Sequence, residues 1–209
     1  FAIKLQFSFI FKYIMKIFLT FFVLFFLSPV LGKDITDFKI EGMKIGDTLL
    51  QFYNKEVILE NIEDYEYANN DFYQVGFYDN LSSKFKTFDA IQVSLKTNDP
   101  NFIIYSIGGG IFYHNNVNGC YSKQNEFIRE IQNLFPSIES SNFSGDHPED
   151  ASGESSLTQT NFEFENLDSI RITCFDWSEK LTKKYNWTDH LKLNVDSKEF
   201  SDWLMYKAY

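Results

Sequence analysis

The three histidines, His114, His147 and His190, are the side chains best suited to acid–base or metal chemistry near neutral pH. No two of them have the short spacing that zinc ligands take along a chain, and none lies near a cysteine at such a spacing. An acid–base enzyme would therefore rely on scattered residues, with Asp176, His190 and Glu163 as the first acids and bases to consider. No nucleophile motif accompanies them. The sequence thus favours a protein without catalytic residues, with an envelope hydrolase as the alternative.

Two further stretches resemble ligand sites but lack the rest of the pattern. Residues 108–110 are three glycines, and neither a helix start nor the Lys-Ser/Thr of a phosphate loop follows them. We expect a bulge or bend in a strand there. Residues 146–150 (DHPED), with Glu154, form an acidic cluster without the EF-hand pattern. We interpret the cluster as solvated charge, with weak calcium or transition-metal binding as the alternative, and we predict no metal site and no cofactor.

The chain has two cysteines, Cys120 and Cys174, which are 54 residues apart. They are not a C-x-x-C pair, so a thiol oxidoreductase is not indicated. An isolated pair in an oxidising compartment favours a disulfide, and the alternative is two free buried thiols. The chain-entropy model assigns roughly 4 kcal/mol of stabilisation to a bridge that closes a loop of this length.

A binding or interaction module is the function that the remaining features favour. Its contact surface would be the open face of a sheet or a long loop over residues 136–160. Phe175, Trp177 and His190 are the side chains we expect to contact a partner. That partner is an unknown protein or small molecule.

The elements that must position these residues follow from hydrophobic periodicity. Alternating patterns predict strands over residues 37–41, 72–78, 90–96, 102–107, 162–165, 170–177 and 191–195. In the third of these, the pattern places Ile91, Val93 and Leu95 in the core and Gln92 and Ser94 outside it. The strands are joined by short turns, which favours antiparallel pairing.

Helical periodicity appears in four places. Asp47 or Thr48 would cap a helix whose apolar stripe is Leu49, Leu50, Phe52 and Tyr53, and a further helical turn or two would cover residues 55–62. Ser122 would cap the longest helix, which Pro136 ends. Asp196, with Glu199 three residues later, forms a capping box for the last helix.

Residues 136–160 are rich in Ser, Gly, Asp, Glu and Asn, and their composition predicts a long flexible loop between the two cysteines. The predicted fold class is α+β. We expect a single domain over residues 33–209, mainly an antiparallel sheet with two or three helices packed on one face and preceded by a signal peptide.

The start of the chain has the order of a secretory signal. Lys16 follows Met15, an apolar run covers residues 17–27, and small or β-branched residues lead to Gly32. We predict a signal peptide over residues 15–32 that is cleaved after Gly32. A retained membrane anchor is the alternative, although the run is shorter than the roughly 20 residues that span a bilayer. We interpret residues 1–14 as a spurious upstream extension.

Charge narrows the range of partners. Removal of residues 1–32 takes away three lysines and no acid, which changes the formal net charge from −10 to −13. A chain this acidic is repelled by the phosphates of nucleic acids and by anionic lipid surfaces. We therefore expect no nucleic-acid partner and no membrane association after cleavage, and a periplasmic or secreted location.

Three segments carry a resemblance to a known family: residues 40–48 (IEGMKIGDT), 175–178 (FDWS) and 198–204 (KEFSDWL). The chain resembles an uncharacterised family of small exported proteins from low-GC marine bacteria, and the similarity covers most of residues 35–209. That family has no assigned activity. The resemblance therefore implies export and a single domain, and it assigns no functional residue. A fainter similarity links Gly42, Met43 and the following helix to small envelope lipoproteins and β-lactamase-inhibitor-like proteins.

Overall fold

Seven strands pair in one antiparallel sheet in the computed structural model, which describes residues 34–78, 81, 84–114 and 116–209. The strands are β1 (Phe72–Phe77), β2 (Ala90–Lys96), β3 (Ile104–Phe112), β4 (Glu139–Asp146), β5 (Ser156–Glu163), β6 (Ser169–Asp176) and β7 (His190–Asp196). Their order across the sheet is β1-β2-β3-β7-β6-β5-β4. The described residues form one compact unit. The predicted leader and upstream extension lie outside them.

Within the described residues, four α-helices accompany the sheet: α1 (Lys55–Glu60), α2 (Val117–Leu134), α3 (Glu179–Tyr185) and α4 (Lys198–Tyr206). The mixed α+β class, with the sheet as its main part, is confirmed. No helix within the described residues combines the length and the hydropathy of a membrane-spanning segment.

The helix starts differ from the predicted ones. The side chain of Asn116, and not that of Ser122, caps α2 by accepting a hydrogen bond from the backbone N–H of Gly119. Ser197 caps α4, because the predicted cap Asp196 still belongs to β7. The helix predicted after Thr48 is a single 3₁₀ turn, Leu49–Gln51, and no strand forms over residues 37–41.

One face of the sheet carries the main hydrophobic core. Ile, Val, Leu and Phe side chains alternate inward along the strands, and α2 packs across them with Phe127 and Ile131. The inward positions of β2 are Ile91, Val93 and Leu95, as the sequence predicts. The disulfide is also confirmed. Cys120 of α2 and Cys174 of β6 are bonded with their Cα atoms 6.0 Å apart, so the bridge fastens α2 to the sheet inside this core.

The opposite face carries a second, smaller cluster. Phe72 of β1 packs there against Phe200 and Trp203 of α4. Phe72 belongs to this cluster because it alternates with Tyr73, Val75 and Phe77, which point to the main core. The expectation that all helices pack on one face is therefore wrong, since α2 covers one face and α4 lies against the other.

The predicted flexible loop over residues 136–160 is also wrong, because most of it is the hairpin of β4 and β5. Eight residues of β4 pair in register with β5, from Glu139 opposite Glu163 to Asp146 opposite Ser156. β4 is the edge strand, and nearly all its residues are exposed. A strand with water on both faces needs no apolar alternation, so its sequence looks like that of a loop.

A polar cavity on the second face of the sheet

Polar side chains run in rows across the face of the sheet that bears α4. In one row Gln92 lies opposite Gly108, Gly108 opposite Asn194, and Asn194 opposite Arg171. In the next row Lys192 of β7 lies opposite Thr173 of β6. We call this surface the polar face, and it comprises the side chains of Gln74, Gln92, Ser94, Ser106, Gln159, Arg171, Thr173, Lys192 and Asn194.

The three glycines of β3 shape both faces of the sheet. The strand pairs regularly with β7 through all three, and the irregularity of pairing lies elsewhere, between Ser94 and Leu95. The expected bulge at residues 108–110 is therefore wrong. A Cβ at Gly109 would lie 2.4 Å from the Phe88 ring on the core side. Gly108 and Gly110 instead add no side chain to the polar face, so β3 is bare there beyond Ser106.

Lys192 extends across this glycine strand. Its Nζ donates to the Gln92 Oε1 atom at 2.8 Å, although β3 separates the two strands. Gln92 is oriented by its other end, because its Nε2 donates to Glu63 and to the Tyr65 hydroxyl. Glu63 in turn accepts from the Tyr78 hydroxyl. The amide of Gln92 thus joins the half-buried Glu63 to the Lys192 cation.

The ammonium of Lys192 lies deep in the structure. Some surface of the side chain is exposed, but burial of the charged end lowers the pKa of Lys192 below its usual 10.5. The charges of Asp196 and Glu63 oppose this shift and that of Arg171 adds to it. No ion pair involves Lys192 in the described part of the chain. The cation is therefore removed from water without a contacting acid.

Arg171 is the second cation of the polar face. Its Nη2 donates to the Oδ2 atom of Asp196 at 2.9 Å, and Asp196 also accepts from the Ser106 hydroxyl at 2.5 Å. Asp196 is fully buried, whereas 37% of the Arg171 side chain is exposed. The Asp196 carboxylate therefore has its hydrogen-bond donors within the protein. The Arg171 guanidinium has further N–H groups that this contact does not use.

These side chains surround a cavity of about 200 Å³. Arg171 and Lys192 both line it, and no acidic residue of the described chain does. Apolar surface comes from Phe175 on β6 and from Phe200 and Leu204 on α4. The cavity lining therefore combines two cations, neutral amides and hydroxyls, and three apolar side chains.

The residues predicted to bind a partner lie at one end of this face. His190 stacks on Phe175 with ring centroids 4.5 Å apart, and Phe175 is in turn 6.0 Å from Trp177. His147 joins the group, 4.3 Å from the Trp177 ring. Burial lowers the pKa of His190. Of these rings, Phe175 is the one that lines the cavity.

The three acids and bases considered for an enzyme do not converge. Glu163 lies opposite Ser169 at one end of the β5–β6 pair, whereas Asp176 ends β6 seven residues away, roughly 23 Å along the strand. Asp176 is two residues after the core-facing Cys174 and so lies on the core side of the sheet, while His190 shares the polar face with Phe175. These residues therefore form no common site.

The acidic cluster of the β4–β5 turn is built around one structural carboxylate. Asp150 is buried and accepts from the hydroxyls of Ser152, Ser155 and Ser178. These hydrogen bonds hold the pKa of Asp150 well below its usual range. The expectation of a solvated charge run is wrong for this residue. No cluster of three metal-ligating side chains occurs among the described residues.

Sequence reasoning missed Lys192, Arg171 and Gln159 as members of a site. The available signal was the alternation of polar residues with core residues along β5, β6 and β7, which usually marks a solvated face. The sequence does not show that α4 packs over this face and that this packing encloses a cavity.

Comparisons with protein-family models, with curated proteins and with solved structures find no match for this chain.

Proposed function

We propose that this protein is an exported, non-enzymatic binding module that holds a small ligand in the cavity of the polar face. One observation carries the proposal: Arg171 and Lys192 line the same cavity, and no acidic residue of the described chain lines it. A concave site with a few convergent polar groups and perturbed ionisable residues is typical of ligand-binding sites.

The geometry supports binding more than catalysis. The lining groups are mainly amides, hydroxyls and cations, and partners within the protein orient several of them. Gln92 is fixed by Glu63 and Lys192, and Thr173 donates its hydroxyl to the Gln159 Oε1 atom at 3.2 Å. Side chains oriented before binding lose little freedom when a ligand arrives, which favours affinity.

Export is the second part of the proposal. Its structural support is the bond between Cys120 and Cys174, because disulfides persist in oxidising compartments outside the cytosol. The predicted signal over residues 15–32 and the resemblance to small exported bacterial proteins point the same way. A periplasmic or secreted location follows from these expectations together.

Chemical-shift mapping by NMR tests the binding function. We expect members of a panel of small organic acids, amides and sugars to shift the backbone amides of Arg171, Thr173, Lys192 and Asn194. Gln159→Trp, which fills the cavity, should abolish these shifts. Glu163→Trp, four residues further along the same strand and face, opposite Ser169 and outside the cavity lining, is the matched control and should keep them. The proposal fails if no compound of any class shifts these amides.

A further inference from the structure

The geometry points to a small organic carboxylate as the ligand, with its charged group between Lys192 and Arg171 and its apolar part against Phe175 or the α4 side chains. This inference rests on the proposed binding function and specifies its ligand class. It follows from unused donors, from the positions of the two cations, and from the distribution of apolar surface.

The first argument is that Lys192 has hydrogen-bond donors that no protein group of the described chain uses. An ammonium has three N–H bonds, and within the described residues Lys192 donates one of them, to Gln92. Glu63 and Asp196, the acids whose charges act on Lys192, accept hydrogen bonds from other residues and lie outside the cavity lining. A buried cation without a contacting anion is costly. A ligand carboxylate in the cavity removes that cost, whereas a neutral ligand does not.

The second argument is position. Thr173 lies opposite Lys192, and Arg171 is two residues before Thr173 on the same face of β6. The backbones of such diagonal neighbours on adjacent antiparallel strands lie roughly 7–8 Å apart. Both side chains line the same cavity, and the charge of Arg171 acts on Lys192. A carboxylate in this cavity therefore has charge-assisted hydrogen-bond donors from two strands within one lining. The Arg171 guanidinium gives one N–H to Asp196 and has others free for this contact.

Gln159 adds a neutral donor beside the cations. Its Oε1 accepts from the Thr173 hydroxyl, which leaves the amide N–H₂ group as the end available to a ligand. Lys192, Arg171 and Gln159 therefore present N–H donors to the cavity, which matches an acceptor-only carboxylate.

The apolar surface lies apart from this donor group. Phe175 follows Thr173 by two residues on the polar face, and Phe200 and Leu204 reach the cavity from α4. An organic anion with a short apolar part covers both kinds of surface, whereas inorganic phosphate leaves the apolar part unused. The volume of about 200 Å³ is below the roughly 300–1,000 Å³ of pockets for drug-sized molecules, so the ligand is small.

Isothermal titration calorimetry of the purified protein at pH 7 tests the inference with three probes: 3-phenylpropionate, its neutral analogue 3-phenylpropanamide, and inorganic phosphate. We expect the acid to bind at least tenfold more tightly than the amide of the same shape, and more tightly than phosphate. Lys192→Met should weaken the acid at least tenfold and leave the amide unchanged. Lys183→Met, an exposed lysine of α3, is the matched control and should change neither.

The comparison of acid with amide uses the wild-type protein, so it does not depend on the folding of any variant. Equal affinity for the acid and the amide overturns the carboxylate assignment and leaves the binding function in place. Preferential binding of phosphate also overturns it, in favour of an inorganic oxyanion. Absence of binding by all three probes overturns the carboxylate assignment, and the wider NMR panel then decides the binding function separately.

Discussion

Lys192 and Gln92 are hydrogen-bonded across an intervening strand, with 2.8 Å between Nζ and Oε1. The two residues belong to β7 and β2, and β3 runs between them. On this face β3 has glycine at position 108, opposite Gln92, and at position 110, opposite Lys192, so at these two positions no β3 side chain stands between the two residues. The glycine strand thereby allows a cation to be buried over the middle of the sheet.

Replacement of Lys192 should weaken carboxylate binding without lowering the stability of the fold. Lys192→Met removes a buried charge, and a well-packed apolar side chain in place of a buried ion is often neutral or stabilising. We therefore expect Tm at pH 7 to equal or exceed that of the wild type while carboxylate affinity falls. Differential scanning calorimetry beside the titration checks both, and a large fall in Tm would show that Lys192 is mainly structural.

Carboxylate binding should weaken at alkaline pH. Burial lowers the pKa of Lys192 below 10.5, so the free protein loses this charge at a lower pH than an ordinary lysine does. Affinity for 3-phenylpropionate should fall as the pH rises through that lowered pKa. Lys192→Arg keeps its charge at every accessible pH, so its affinity should stay level between pH 7 and 10. A wild-type affinity that is independent of pH over this range would contradict the prediction.

Asp150 should protect the fold against acid. Its folded pKa is lowered, so its contribution is present above the unfolded pKa and is lost as the pH falls through the folded one. Asp150→Asn should lower Tm at pH 7 and flatten the dependence of Tm on pH on the acid side. Glu149→Gln, an exposed acid of the same turn, should do neither. Thermal denaturation followed by circular dichroism between pH 2 and 7 makes the comparison.

The glycines of β3 offer a second matched pair. A Cβ at Gly109 would lie 2.4 Å from the buried Phe88 ring, whereas one at Gly110 would meet its nearest atoms at 3.9 Å. Gly109→Ala should therefore lower the free energy of unfolding by about 1–3 kcal/mol, as overpacking does. Gly110→Ala should change it much less. Urea denaturation measures both, and equal effects would show that loss of glycine itself, and not the ring contact, sets the cost.

The disulfide should contribute a large part of the stability. Loss of the Cys120–Cys174 bridge in the Cys120→Ala, Cys174→Ala double variant should lower the free energy of unfolding by roughly 4 kcal/mol. Urea denaturation measures this change, and the wild type in reducing agent should show a similar loss.

The intact mass of protein from the native envelope fraction tests export. It should match a chain that starts at Lys33 and lacks two protons at the cysteines, and a mass that includes residues 1–32 would contradict cleavage.

The sequence by itself determined what depends on local periodicity and on residue type. Alternation located β2 and β6 and the direction of their side chains, and the two cysteines alone gave the bridge. It did not reveal β4, because an edge strand solvated on both faces needs no apolar pattern.

Only the tertiary structure decided where the site lies. Arg171, Lys192 and Gln92 are far apart in the chain, and they meet because β7 inserts between β3 and β6. The return of α4 over the polar face, anchored by Phe200 and Trp203 on Phe72, then closes one end of the cavity. Such long-range packing depends on how complete faces fit together, and no local pattern of residues encodes it.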